Sequence, residues 1–343
     1  MHKDRIEKLI STVTHDGCVI DNPQDLFYLT GLPLSKGRLW VSKKEATLFV
    51  DGRYFAKAKE CVKCPVVLWE KGVFEKVLKD VKKGSFDSAF LTVAEAKALE
   101  KALGHIEWVG EPNLLRDIRL CKDAGEIVLL KKAADITWQG YNRVVELLEE
   151  GISEKELSIE FQMFCLKNGA SGCSFEPIIA FGENSAYPHH RASDAKLKNN
   201  QIVLIDVGAV FNHYCGDMTR VFFFGHPDPE LLRMEKIVRR SWEKAAALVK
   251  PGVKLGEIDR IVREEFRKEG VESLYVHSLG HGIGLDAHEY PRIHEKGEDK
   301  DVLFKKGMVF TIEPGLYQPG LGGIRLEDTF VVTEKGAESF YPD

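Results

Sequence analysis

Ile202-Val203-Leu204-Ile205-Asp206-Val207-Gly208 places an acid at the end of an apolar run, with glycine two residues on. Asp217-Met218-Thr219 follows and leads into Val221-Phe222-Phe223-Phe224. The same grammar returns a hundred residues later. Met308-Val309-Phe310-Thr311-Ile312 ends on Glu313 with Gly315 two residues on, and Glu327-Asp328-Thr329 leads into Phe330-Val331-Val332. Each segment reads strand, acid, x, Gly, polar turn, acid, x, Thr, strand, which is an antiparallel hairpin carrying one acid per strand. Hairpins related by pseudo-symmetry would bring the four acids to one point.

A carboxylate at the end of an apolar strand costs several kcal/mol to bury unless it is paired or bound to a cation. No equal cluster of Lys or Arg adjoins the four acids, so divalent metal is the natural compensation. Two such ions carry +4 against −4 from Asp206, Asp217, Glu313 and Glu327. Between the hairpins lies Val276-His277-Ser278-Leu279-Gly280-His281-Gly282-Ile283-Gly284-Leu285-Asp286-Ala287-His288, holding three of the eleven histidines. Its interleaved glycines lose order on folding and point to close backbone approach. Neither the GxGxxG spacing nor a terminal GK[ST] is present, so a phosphate-binding loop is not indicated.

Upstream, Ile127, Leu130, Ala134, Trp138, Tyr141, Val145 and Leu148 form one apolar stripe on a long helix that Asp123 and Glu126 open as a capping box. Ser153 and Glu156 open a second helix in the same way, running to about Asn168. Further helices are expected from about Pro229 to Val249 and from about Leu255 to Glu269. Residues up to about 115 alternate short apolar runs with helical patterns, which argues for a small α/β domain. Strands are expected at Cys18–Ile20, Phe27–Leu29, Arg38–Val41, Thr47–Val50 and Val66–Trp69, and helices at Val73–Val81 and Ala94–Leu103. The domain boundary falls near Asn113 to Asp123, giving 1–118 and 119–343.

The 343 residues carry 48 Lys+Arg and 53 Asp+Glu, a formal charge of 48 − 53 = −5. That interspersed, mildly acidic balance offers no basic stripe for nucleic acid. No apolar run reaches the ~18–20 residues that span a bilayer, and the start is charged, so a cytoplasmic protein without membrane or nucleic-acid partners is expected. Seven cysteines, scattered from Cys18 to Cys215, read as reduced thiols, and Cys61-Val62-Lys63-Cys64 lacks a second pair at zinc-ribbon spacing.

These motifs, in this order, resemble the pita-bread metallopeptidases, in the branch of aminopeptidase P, prolidase and creatinase. Leu48-Phe49-Val50-Asp51-Gly52-Arg53-Tyr54 is similar to a stretch of that branch's amino-terminal domain. The resemblance implies an α/β amino-terminal domain followed by an α+β pita-bread catalytic domain with a pseudo-two-fold antiparallel sheet. It implies metal ligands Asp206, Asp217, His281, Glu313 and Glu327, with the second Asp and last Glu bridging two ions. In Ala180-Phe181-Gly182-Glu183-Asn184-Ser185-Ala186-Tyr187-Pro188-His189 it singles out His189, not His190, as an active-site histidine. His277 and His288 match two further substrate-side histidines, and Arg325 matches an arginine beside the last ligand.

The implied cofactor is a pair of divalent ions, Mn²⁺ first on the carboxylate-rich donor set, with Co²⁺ or Zn²⁺ as substitutes. Glu313 would shuttle a proton to the leaving proline nitrogen, His288 and His189 would stabilise the tetrahedral intermediate, and His277 would help hold the substrate. The expected activity is Xaa-Pro aminopeptidase on proline-containing peptides, with Xaa-Pro dipeptidase (prolidase) as the alternative. The filled five-ligand set argues against a non-catalytic binding module. The resemblance further implies a homodimer, with Trp40 and Arg53 as candidate wall residues.

Overall fold

A computed structural model describes residues 2–342. The chain separates into two compact units, Met1–Arg119 and Leu120–Asp343.

The first unit is built on a six-stranded mixed sheet in the order Val66–Leu68, Ala46–Val50, Arg38–Ser42, Gly17–Ile20, Lys83–Asp87, Glu107–Glu111. The three strands Gly17–Ile20, Lys83–Asp87 and Glu107–Glu111 run parallel, and Arg38–Ser42 is antiparallel to both of its neighbours. Two departures from expectation are instructive. Phe27–Leu29, expected as a strand, lies inside the helix Pro23–Thr30. Asn22 caps that helix by accepting from Gln24 N, proline occupies its first turn, and Gly31 ends it in the left-handed region at φ 72°. These end signals outweigh the aromatic, strand-like triplet between them. The helix expected over Val73–Val81 stops at Val77. Trp40 is a core residue, edge-on to Trp108 at 6.4 Å between ring centroids, and Arg53 is exposed and paired to Asp51 at 2.7 Å.

The second unit has two halves of like construction. In one, strands Ile178–Phe181, Gln201–Val207 and Met218–Phe224 form an antiparallel sheet covered by the helices Ala124–Glu146 and Glu154–Lys167. Ile136, Val144, Leu157 and Phe161 from those helices pack on Ile179, Val203 and Ile205 from the sheet. In the other, a five-stranded antiparallel sheet runs Glu289–Ile293, Gly280–Gly282, Val309–Ile312, Asp328–Val332, Ala337–Ser339. The helices Pro229–Leu248 and Leu255–Lys268 supply Met234, Val238, Ile258, Val262 and Phe266 to the core that holds Phe310, Ile312 and Phe330.

The halves meet where the hairpins meet. Thr219 N donates to Glu327 O at 3.4 Å and Glu327 N donates to Thr219 O at 3.1 Å, an antiparallel bridge between the two sheets. The hairpins are not exact copies, since Asp206 lies opposite Thr219 whereas Ile312 lies opposite Asp328. The glycine of the first motif has a steric reason: a Cβ at Gly208 would overlap the carbonyl oxygen of Gly216.

Phe161 is fully buried and fills the space left by Gly140, whose Cβ would lie 2.7 Å from the Phe161 ring. Phe161→Ala is therefore expected to cost about 3–5 kcal/mol in chemical denaturation, with the denaturant dependence unchanged.

Candidate metal centre

Asp206 lies in the strand Gln201–Val207, and Asp217 immediately precedes Met218–Phe224. Glu313 follows Val309–Ile312, Glu327 immediately precedes Asp328–Val332, and His281 is the central residue of Gly280–Gly282. Donor atoms of Asp206, Asp217 and Glu327 lie within 4.8 Å of one another, as do those of His281, Glu313 and Glu327. Asp217, His281 and His288 form a third such group. The four acids and the imidazole singled out in the sequence thus converge, and His288 converges with them.

His281 Nδ1 faces the Gly282 carbonyl oxygen at 3.1 Å. That oxygen can only accept, so Nδ1 carries the hydrogen and Nε2 presents its lone pair to Glu313 Oε1 at 3.4 Å and Asp217 Oδ2 at 3.7 Å. Burial, reinforced by His288, lowers the His281 pKa to about 3 and keeps the ring neutral. An uncharged imidazole with a backbone-fixed tautomer is the form that ligates metal.

The carboxylates are under stress. Burial followed by Glu327 and Asp206 drives Asp217 well above the ordinary range, and burial followed by Glu327 does the same to Glu313. Burial and then Asp206 push Glu327 up to about 8. Arg325, itself buried, ion-pairs with Asp206 Oδ2. Asp206 Oδ1 is buried with no hydrogen-bond partner. A buried carboxylate oxygen without a hydrogen-bond partner, within a cluster of mutually repelling acids, has the chemistry of a cation ligand. The residues present fit divalent metal.

A ring of hydroxyls and one guanidinium supports the acids. Thr219 Oγ1 donates to Glu327 Oε2 at 2.6 Å and accepts from Arg325 Nε at 3.0 Å. Thr329 Oγ1 donates to Asp217 O at 2.9 Å, and Asp217 N donates to Tyr341 Oη at 3.1 Å. Arg325 Nη1 donates to Tyr317 Oη at 2.7 Å. Tyr317 Oη lies 2.9 Å from His277 Nε2, while His277 Nδ1 faces Ser278 O at 2.7 Å. Both His277 nitrogens are thus engaged within the protein. Burial, then Arg325, lowers the His277 pKa to about 4.

His189 and His288 are exposed. Burial lowers the His288 pKa, the Asp206 charge opposes this, and the His189 ring adds to the lowering, which places the two histidines in one neighbourhood. His190 instead binds Glu154 Oε2 at 2.8 Å. Sequence reasoning missed Tyr317 and Tyr341, which no motif marks, and left Thr219 and Thr329 without a task although both belong to the acid-x-Thr pattern.

Residues 128–334 match the model of metallopeptidase family M24, and residues 3–121 match that of the creatinase/prolidase N-terminal domain. The chain is 36% identical over 346 residues to a Xaa-Pro dipeptidase of Pyrococcus furiosus, covering 98% of this chain and 97% of that one. It superposes on a Xaa-Pro dipeptidase from Bacillus anthracis with a TM-score of 0.95 at 31% identity, covering 100% and 99% of the two chains. An X-Pro aminopeptidase from Thermotoga maritima gives 0.91 at 32% identity, with 99% and 98% covered.

The raised Glu327 value has a measurable consequence. Its folded pKa, about 8, exceeds the ordinary 4.5, so metal-free protein holds this proton more tightly when folded. The stability so gained is complete below pH 4.5 and is lost as pH rises through about 8. Thermal unfolding of chelator-treated protein should therefore show Tm falling across that window. Excess divalent metal should raise Tm most at the upper end, because binding to the folded state adds stability.

Proposed function

The chain belongs to metallopeptidase family M24, and from that premise we propose that it is a dinuclear-metal-dependent hydrolase that cleaves the Xaa–Pro bond of dipeptides. The observation that carries the reading is the convergence of Asp206, Asp217, His281, Glu313 and Glu327 around an unpartnered, buried Asp206 oxygen. Four carboxylates at −4, offset by +1 from Arg325, leave −3, which is more than one divalent ion balances. Two ions are therefore assigned, which Asp206, Asp217, His281, Glu313 and Glu327 would hold, and the carboxylate majority favours Mn²⁺ over Co²⁺ or Zn²⁺.

The sequence favoured an aminopeptidase over a dipeptidase, but that order reverses here. The relatives alike over nearly their whole length include Xaa-Pro dipeptidases of two Pyrococcus species, at 36% and 33% identity. The aminopeptidase becomes the second reading, favoured by the likeness to the Thermotoga enzyme.

Bound metal supplies an acidified water and polarises the scissile carbonyl. This chain's own residues do the rest. Glu313, whose side chain is 16% exposed against 4% for Asp217, is the acid that reaches the substrate side and carries the proton from water to the proline nitrogen. His189 and His288 donate to the oxygen on which charge develops. Arg325 holds Asp206 and, through Thr219, the Glu327 carboxylate in position. The same reading carries a homodimeric, cytoplasmic enzyme, and sedimentation at twice the chain mass is expected. No described helix is long and apolar enough to cross a membrane.

With added Mn²⁺, an Ala-Pro dipeptide is expected to be hydrolysed and an Ala-Pro-Ala tripeptide to be left intact. Turnover of the tripeptide alone would return the enzyme to the aminopeptidase class. Glu313→Gln should lower kcat by at least about 100-fold while part of the metal remains bound by elemental analysis, given the usual ~10²–10⁴-fold worth of a positioned proton carrier.

A further inference from the structure

Glu154 is the first residue of the helix Glu154–Lys167, hidden in the sequence between the capping pair Ser153 and Glu156. Its side chain is wholly buried, yet no Lys or Arg ion-pairs with it among the described residues. Five donors surround it instead. Oε1 accepts from Phe181 N and Asn184 Nδ2, each at 2.8 Å. Oε2 accepts from His190 Nε2 at 2.8 Å, Ser193 N at 2.9 Å and Ser193 Oγ at 2.6 Å. Burial alone would raise this carboxyl, but the hydrogen bonds from Asn184, Ser193, His190 and Phe181 outweigh it and keep the group ionised.

All five donors belong to one stretch of chain, residues 181–193, and they lie on both sides of His189. One carboxylate oxygen fixes the approach to His189 and the other fixes its exit, with the anchor at His190 directly adjacent. A second tether holds the same stretch: Ser185 Oγ accepts from Gly323 N at 2.8 Å, two residues before Arg325. The His189 ring forms none of the hydrogen bonds that secure its segment and is exposed, and its charge is felt by His277 and His288.

We propose that Glu154 is a positioning residue for the hydrolytic reaction, the buried hub whose two oxygens lock residues 181–193 so that His189 faces the scissile carbonyl. This rests on the reading of His189 given above. The charge is needed because a carboxylate offers acceptors on both oxygens. Glutamine of the same size would turn an N–H₂ toward one group of donors and release either the Phe181–Asn184 side or the His190–Ser193 side.

The test uses the full chain loaded with Mn²⁺ and whichever of Ala-Pro or Ala-Pro-Ala the unaltered enzyme hydrolyses. Glu154→Gln is expected to lower kcat by about 100-fold, the cost of a small misplacement of a catalytic group, with KM changed less than about 3-fold and bound metal unchanged. Added to His189→Ala, it should cause almost no further loss, since the group it positions is already gone. Hydrogen exchange should quicken at amides 181–193 in Glu154→Gln and not at strand Val309–Ile312. Ser193→Ala, which removes one donor, guards against simple misfolding and should give a milder loss with the same exchange signature. Unchanged exchange in 181–193, wild-type kcat in Glu154→Gln, or losses that multiply in the double variant would overturn the proposal. If His189→Ala alone kept full turnover, the catalytic task of His189 would fall, while the exchange result would still report on the Glu154 lock.

Discussion

Like charges brought together out of water set the terms for the second unit of this protein. Asp206, Asp217, Glu313 and Glu327 meet where burial disfavours the charge on Asp217, Glu313 and Glu327 and where the acids repel one another, with Arg325 the cation that opposes this. In a low-dielectric interior such a group either takes up protons or recruits cations. The supporting structure is arranged for the second outcome. Thr219 spends its one proton on Glu327, Arg325 ion-pairs with one oxygen of Asp206 and leaves the other unpartnered, and a backbone carbonyl fixes His281 with its lone pair inward. Together they orient acceptors while offsetting only one of the four negative charges.

The architecture explains how a chain assembles so unfavourable a cluster. Each half buries a sheet under two helices, and the apolar contacts that do so include none of the acids. The sheets meet at the Thr219–Glu327 bridge, near the ends of the strands, so the acids lie at the seam between the halves, where Ile202, Val221 and Phe223 of the first sheet also pack into the core of the second. Close approach there depends on glycine. A side chain at Gly208 would strike the Gly216 carbonyl, and one at Gly280 would strike that of Thr311, so the backbones beside Asp206 and His281 have no room for a Cβ.

Much of this was legible because strand and acid patterns repeat. The strand–acid–x–Gly and acid–x–Thr motifs announced both hairpins, and the capping pairs Asp123/Glu126 and Ser153/Glu156 located the helices within a residue or two. What escaped has a common physical cause. Phe27–Leu29 looks like a strand over three residues, and only its flanking Asn22 and Gly31 mark it as helix. Tyr317 and Tyr341 act through long-range hydrogen bonds that leave no periodic trace. The hairpin registers differ, because register depends on turn geometry that side-chain pattern alone does not encode. Glu154 was masked by its neighbours, since a residue inside a capping box reads as surface charge until its partners from residues 181–193 are seen around it.

Anomalous diffraction from crystals grown with Mn²⁺ tests the central claim most directly. The account predicts two peaks, one between Asp206, Asp217 and Glu327 and the other between His281, Glu313 and Glu327, each within bonding distance of its carboxylates. No peak among these residues, with the acids instead turned toward Lys or Arg or into solvent, would contradict it.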